Sequence, residues 1–460
     1  MIKDKTAYEM LEIALGSGAD FAEIFAERKK TTSISALNGK ARSANSGIDM
    51  GLGLRLIYGE KTVYAYTNDL SEKSLLALAK DISSASKEIS TLKPIPFRVK
   101  KAENLHNTII LPFDISKQEI FDRLKKANET ALGYSKLISE AEASFTASEQ
   151  EILIFNSEGL KTDDKRVRCR VALNSAASGS GEKQTGYIAP GALSGYEFFE
   201  SLDLDNLARK TAEQAGVMLS AGNAPSGRFP VVIGDGFGGV LFHEACGHGL
   251  EAISIAKNSS VFAGKLGEKI ASDKVTAIDD GTIKNSWGSI NIDDEGTKAT
   301  KNILIEKGIL KRYMVDNFYG KKLGLKSTGA CRRQSYKLAP VPRMTNTYIA
   351  GGSDSPDDII SSIDLGLYCK SMGGGSVTPA TAEFNFAVSE AYMIRNGKIA
   401  EPVRGATLIG RGDEIIKNIE MVALNPKLAC GMCGASSGSI PVCVGQPMLK
   451  VSEMTVGGKA

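Results

Sequence analysis

Histidine is scarce in this sequence, with three residues in 460, and tryptophan occurs once. Long apolar runs are missing: no uninterrupted stretch approaches the ~20 residues that a membrane helix requires, so no membrane partner is expected. The opening residues Met1-Ile2-Lys3-Asp4-Lys5 lead straight into an amphipathic pattern without an apolar signal core. An excess of charge is also lacking, with 56 Lys and Arg set against 53 Asp and Glu for a net charge of +3. A nucleic-acid binder normally carries a basic patch or stripe, and none is visible. The densest basic cluster, Arg166-Val167-Arg168-Cys169-Arg170, alternates like one face of a solvated strand. Cysteine is neither abundant nor paired in number: seven residues lie scattered at 169, 246, 331, 369, 430, 433 and 443. That pattern excludes a disulfide framework and fits buried thiols or metal ligands in a reducing compartment, so a cytoplasmic location is expected. No short-period repeat is present.

What remains is an ordinary globular composition, 42% hydrophobic and 24% charged, in a chain too long for one core. Helical periodicity runs over residues 5 to 16, 70 to 83, 115 to 132 and 203 to 219. Between these lie β-prone stretches at Phe21 to Glu27, Thr31 to Leu37, Gly51 to Ile57 and Thr62 to Tyr66, and again from Ala143 to Leu173 around a turn at Asn156 to Gly159. The small and turn-forming residues of Ser220 to Gly227 form the best linker. Beyond it come an apolar strand at Phe229 to Ile233 and a helix over Phe237 to Ala256. Two hairpins follow, one through Asn302 to Glu306 and Leu310 to Val315, the other through Phe384 to Ile394 and Lys398 to Val403. The expectation is an α+β protein: a mixed α/β domain over residues 1 to 222, and a β-rich, largely antiparallel domain over 223 to 460 that carries the helix with the motif described next.

Two of the three histidines flank a glutamate in His243-Glu244-Ala245-Cys246-Gly247-His248. Imidazole is a frequent zinc ligand, and a glutamate beside it can act as a base toward water. The familiar spacing His-Glu-x-x-His puts both rings on one helical face; here one residue more intervenes. In a regular α-helix that step turns about 140°, which points the rings apart. A π-bulge restores a common face, so the helix is expected to deform over Ala245 to Gly249, where Gly247 and Gly249 tolerate unusual backbone angles. A third ligand is needed, and from spacing alone Glu251, Cys430 and Cys433 remain open. The run Gly234-Asp235-Gly236-Phe237-Gly238-Gly239 has the form of a dinucleotide-binding turn, but no second strand ending in an acidic residue follows about 20 positions on. Its glycines are better read as a tight entry into the motif helix.

The segment Gly238 to Ala252 resembles the signature of the TldD/PmbA family of peptidases. So do Pro342-Arg343-Met344-Thr345-Asn346-Thr347, Gly405 to Gly410, Val444-Gly445-Gln446-Pro447 and the early Gly51 to Arg55. Because the His-Glu-x-x-x-His segment is intact, the chain is similar to the TldD type rather than to its PmbA (TldE) partners. The resemblance implies zinc held by His243, His248 and Cys433, with Cys430 as second choice, and Glu244 as general base. It implies hydrolysis of peptide bonds in unfolded or linear peptides, and a dimer formed with itself or with a PmbA/TldE-type subunit. The rival expectation is a non-catalytic, peptide-binding subunit of PmbA type. Arg343, Asn346 and Arg404 stand in family-like segments as candidates to line the cleft, with structural roles favoured. Strand edges of a β-rich domain would admit an extended peptide through main-chain hydrogen bonds.

Overall fold

The computed structural model of the chain describes residues 1–84, 90–378 and 380–458. Its first half is built on one strongly elongated sheet. From one edge the strands run Lys61–Thr67, Lys40–Tyr58, Phe21–Leu37, Ile138–Asn156, Leu160–Gly179 and Arg98–Val99, with Glu182–Ile188 and Gly191–Ala192 also pairing to Leu160–Gly179. The helix Asp4–Gly16 buries Ala7, Met10, Leu11, Ala14 and Leu15 at helical spacing. Together with Glu72–Ser83 it covers Ile24, Leu52, Leu54 and Leu56 of the sheet. Helices Lys117–Leu132 and Leu204–Ser220 cover the other end over Phe145, Val171 and Leu173.

Where separate strands Phe21 to Glu27 and Thr31 to Leu37 were expected, one continuous strand is found. The intervening Arg28-Lys29-Lys30 resembles a polar turn, but a ladder is made by backbone groups and tolerates charge wherever the side chains find partners. Arg28 stays in register with Met50 on one side and Glu151 on the other, 3.6 Å from the Glu151 carboxylate.

Past Gly222 the strands belong to other sheets. One has the order Leu365–Thr378, Gly227–Ile233, Leu449–Gly457, Thr407–Arg411, Glu383–Arg395, Lys398–Arg404, Gly222–Asn223, with Ile419–Val422 also pairing to Leu449–Gly457. A second has the order Ile309–Leu310, Lys301–Glu306, Ala277–Asp280, Asn346–Ile349, Gly438–Gln446, Lys427–Ala435. Most pairings are antiparallel, as expected of an α+β protein with a β-rich second half. The hairpin at Asn396-Gly397 forms with both turn residues at positive φ, 49° and 71°. The other hairpin is shorter than expected, because its return strand ends at Leu310. There Lys311 and Arg312 both donate to the Leu304 carbonyl, and the chain leaves the sheet so that Met314 can exchange hydrogen bonds with Leu250 and Ala252 beside the histidine segment.

The two halves are joined by buried ion pairs. Arg55 reaches Glu295 at 2.6 Å, Arg333 reaches Glu23 at 2.8 Å, and Arg166 reaches Asp294 at 2.8 Å. Among the described residues no helix is long and apolar enough to cross a membrane.

Candidate metal centre

The histidine segment lies within the largest apolar core. Leu241, Phe242, Ala245, Cys246 and Leu250 pack with Val231, Phe384 and Leu408 of one sheet and with Ile349 and Val444 of the other. The sequence reads as a single helix over Phe237 to Ala256; the structure breaks it. Gly236, at φ 65°, turns the chain out of strand Gly227–Ile233 into a 3-10 turn, Gly236–Gly239. One short α-helical turn leads into a π-helical stretch, His243–Gly247, then a 3-10 turn, His248–Leu250, and the chain straightens at Glu251. The deformation expected from the long histidine spacing is therefore present, beginning at His243 itself. It brings the two rings onto one side, with centroids 5.1 Å apart and planes at 84°.

The glycines serve a different purpose from the one expected. Gly247 has ordinary right-handed helical angles, φ −55° and ψ −52°. What position 247 lacks is room, since a Cβ there would overlap Met344 Sδ. Gly239 likewise packs directly against the backbone of Gly445, which leaves no space for a dinucleotide phosphate at that turn.

Cys433 approaches from the outer strand of the hairpin Lys427–Ala435 and Gly438–Gln446. Its Sγ lies 3.2 Å from His243 Nε2 and 3.3 Å from His248 Nε2. These three donor atoms fall within 4.8 Å of one another. Zinc bonded at ~2.0–2.1 Å to nitrogen and ~2.3 Å to sulfur in tetrahedral geometry separates N and S by roughly 3.5 Å, so the cluster fits that ion within a few tenths of an ångström. Cys430 does not join it. Three steps along a strand reverse the facing, and its thiol turns to the Gly191 carbonyl at 3.1 Å. Cys246 is buried in the core against the Gly412 carbonyl.

Two carboxylates complete the setting. Glu244 is half-buried, with Oε2 3.6 Å from His248 Nε2, and burial raises its pKa above the usual carboxylate range. Glu251 is not a third ligand. Its Oε2 lies 3.2 Å from His248 Nδ1, the nitrogen turned away from the cluster, while Oε1 is buried without a partner. A carboxylate accepting Nδ1–H leaves Nε2 as the lone-pair donor and fixes the ring. Burial opposes a charge on His248, but the Glu251 carboxylate and Cys433 outweigh it and hold its pKa well above the ordinary value. His243 has no such carboxylate; burial, then the nearby His248 and Arg343, push its pKa well down. Glu251→Ala is expected to weaken metal binding by roughly 10–100-fold, and Glu251→Gln, which keeps an acceptor oxygen, by less. Competition with a chromogenic chelator measures both.

The hairpin is held from behind by Arg343, which is fully buried. It donates to the Cys433 carbonyl, to Ser437 Oγ at 2.9 Å and to the Gly438 carbonyl at 2.9 Å. Trp287 Nε1 donates to the Gly431 carbonyl at 2.9 Å. With the carbonyls of Gly431 and Cys433 occupied in this way, this outer strand does not offer a free edge at those residues.

Family models match this chain in three successive segments. They are PmbA/TldA metallopeptidase domain 1 over residues 22–86, the central domain over 110–219, and the C-terminal domain over 226–458. The metalloprotease TldD homolog of Buchnera aphidicola (strain APS) is 38% identical over 99% of this chain and 96% of its own length. That of Haemophilus influenzae is 37% identical over 99% and 97%. The chain belongs to the TldD/PmbA metallopeptidase family. A more distant relative, the zinc metalloprotease TldD homolog of Saccharolobus solfataricus, is 26% identical over 96% of the chain and 97% of its own length. The fold is shared with a crystal structure from Bacteroides thetaiotaomicron (TM-score 0.80, 20% identity, 100% of both chains). It is shared too with TldE of Thermococcus kodakarensis (TM-score 0.76, 19% identity, 98% of this chain and 100% of the other).

The remaining family-like residues make hydrogen bonds and ion pairs within the fold. Asn346 gives its amide to the Asp280 carbonyl and to Ser289 Oγ. Arg404 pairs with Glu182 and donates to carbonyls at the end of helix Leu204–Ser220. A second buried group, Glu295, Asp316 and Cys331, also brings three donor atoms within 4.8 Å of one another. The Arg55 guanidinium already supplies a positive charge there, 2.6 Å from Glu295, and no motif marks this cluster along the chain.

Proposed function

We propose that this TldD-type chain is a zinc-dependent peptidase that hydrolyses bonds in unfolded or linear peptides. The observation that carries the proposal is the convergence of His243 Nε2, His248 Nε2 and Cys433 Sγ beside the half-buried carboxylate of Glu244. In this reading the three donors hold the ion. Bound there, zinc supplies Lewis acidity, tempered by the charge a thiolate donates. Glu244 takes the proton from the attacking water and delivers it to the departing amine, and burial, which favours the protonated carboxyl, suits it to both steps. Glu251 orients His248, and Arg343 orients the Cys433 strand. The zinc named for the Saccharolobus relative supports the choice of ion.

We further infer a dimer, with a second copy or with a subunit of the TldE type, the fold of which this chain shares. A cytoplasmic location accords with seven unpaired cysteines. The test is metal content together with cleavage of a denatured protein, for the chain alone and with a TldE-type partner. About one zinc per chain and hydrolysis in at least one arm are expected. Absence of stoichiometric metal in both arms identifies a non-catalytic binding subunit instead.

A further inference from the structure

Behind the hairpin that carries Cys433 lies a cavity of about 530 Å³, walled by the long strands of the first sheet on one side and by Met432, Ile440 and Pro441 on the other. Its lining contains six cationic side chains and one carboxylate, Asp294. Two of the cations are neutralised: Arg166 by Asp164 and Asp294, and Arg333 by Glu23. The others are not. Arg168 is buried and, among the described residues, donates only to the carbonyls of Trp287 and Ser289, at 3.1 and 2.8 Å. Arg332, equally buried, donates to the carbonyls of Met344 and Pro441, at 2.6 and 2.8 Å. Arg170 lies 5.7 Å from the Trp287 ring centre and has a buried Nε without an acceptor. Lys29 is half-buried on Phe21–Leu37, two strands away in the same sheet. Neutral carbonyls satisfy hydrogen bonds without cancelling charge, so several positive charges converge on one partly dry space. Burial, then the neighbouring Arg166 and Arg332, pull Arg168 down to about 9, against a smaller opposing pull from Asp164 and Asp294.

A planar guanidinium fork matches a carboxylate. The apolar walls of Trp287, Met432 and Pro441 suit an organic chain more than a bare inorganic ion. Met432 and Cys433 are successive residues of one strand and face opposite sides. Met432 pairs with Pro441 across the hairpin, and Ile440 pairs with Cys433. The cavity therefore lies mainly on the reverse of the hairpin from the imidazoles, reaches its Cys433 side at Ile440, and is separated from the metal centre by the single edge strand Lys427–Ala435.

We propose that this cavity is a carboxylate-binding site, which holds an acidic side chain or the terminal carboxylate of a peptide a few residues from the bond cleaved at the metal centre. The link to cleavage rests on the peptidase reading above; the affinity for carboxylate does not.

Trp287 is the sole tryptophan and lines the cavity, so its fluorescence reports on this site; because it also donates to the Gly431 carbonyl of the Cys433 hairpin, the titration is run at one fixed metal content. The Glu244→Gln protein, which keeps peptides intact, is titrated with three hexapeptides. One is glutamate-rich with a C-terminal amide, one is its glutamine twin with a free C-terminal acid, and one is the glutamine twin as an amide. At least tenfold tighter binding of one of the first two over the third is expected, with a shift of Trp287 emission, and the arm that binds tells which carboxylate is read. Arg170→Gln and Lys29→Gln should each reduce that preference at least threefold. If either variant fails to fold, the peptide comparison in the unaltered cavity still decides. Equal binding of all three peptides, a silent Trp287, or displacement by inorganic phosphate at concentrations where acetate has no effect overturns the proposal. Failure of the peptidase reading appears elsewhere, as missing metal or missing turnover, and leaves the Trp287 titration untouched.

Discussion

Glu244→Gln is expected to lower peptide hydrolysis by roughly 10²–10⁴-fold, the usual worth of a positioned general base, while zinc content stays unchanged. The substitution keeps the size and shape of the side chain and removes only its ability to take a proton. None of the three converging donors is touched: His243, His248 and Cys433 meet through Nε2, Nε2 and Sγ, and Glu244 stands beside them with Oε2 3.6 Å from His248 Nε2. The side chain is half-buried rather than sealed, so the change leaves no closed cavity and should cost little stability. Steady-state kinetics on a denatured protein, with metal analysis of the same sample, checks both halves of the expectation. Hydrolysis at the normal rate in the Gln variant would remove Glu244 from the reaction.

Cys433→Ala is expected to empty the site. Two imidazoles then remain, and affinity should fall by more than the ~10–100-fold that loss of an outer partner costs. The hairpin itself should survive, because Arg343 grips it through the Cys433 carbonyl, Ser437 and the Gly438 carbonyl rather than through the thiol. Cys430→Ala is the control. Its thiol faces the other side of the same strand, toward Gly191, and its removal should leave metal binding as it was. Zinc retained in Cys433→Ala and lost in Cys430→Ala would reverse the assignment.

The motif was the most legible part of the molecule in its sequence. One residue too many between His243 and His248 cannot be reconciled with a straight α-helix and a shared ion, so the spacing alone demanded a local distortion, and a π-helical stretch spans those residues. The reason offered for Gly247 was incomplete, because backbone angles are a property of one residue whereas the space beside it depends on Met344, almost a hundred positions away. The same limit applies to Cys433. Its place beside the imidazoles is a contact across 190 and 185 residues of sequence that no periodicity encodes, and only the family resemblance singled it out. Glu251 stood at helical spacing from His248, which pointed to a ligand; the break at Glu251 turned it to the other ring nitrogen instead.

Element types were legible wherever one face was buried, as in helix Asp4–Gly16 with its apolar residues at helical spacing. Lengths were less so. The strands Phe21–Leu37 and Lys40–Tyr58 run through charged and small polar residues, because a ladder requires backbone partners and not an unbroken apolar face. The arginines of the cavity illustrate the converse. Alternation along Arg166 to Arg170 placed Arg166, Arg168 and Arg170 on one strand face and suggested a solvated one. The structure instead closes that face with Trp287, Arg332 and the Cys433 hairpin.

Zinc-edge X-ray absorption on the purified, metal-loaded protein tests the centre most directly, since it reads the atoms bonded to the ion. One sulfur at ~2.3 Å and two imidazole nitrogens at ~2.0–2.1 Å are expected, with the sulfur contribution absent from Cys433→Ser. A spectrum without sulfur, or one showing two sulfurs, would contradict a site built from His243, His248 and Cys433.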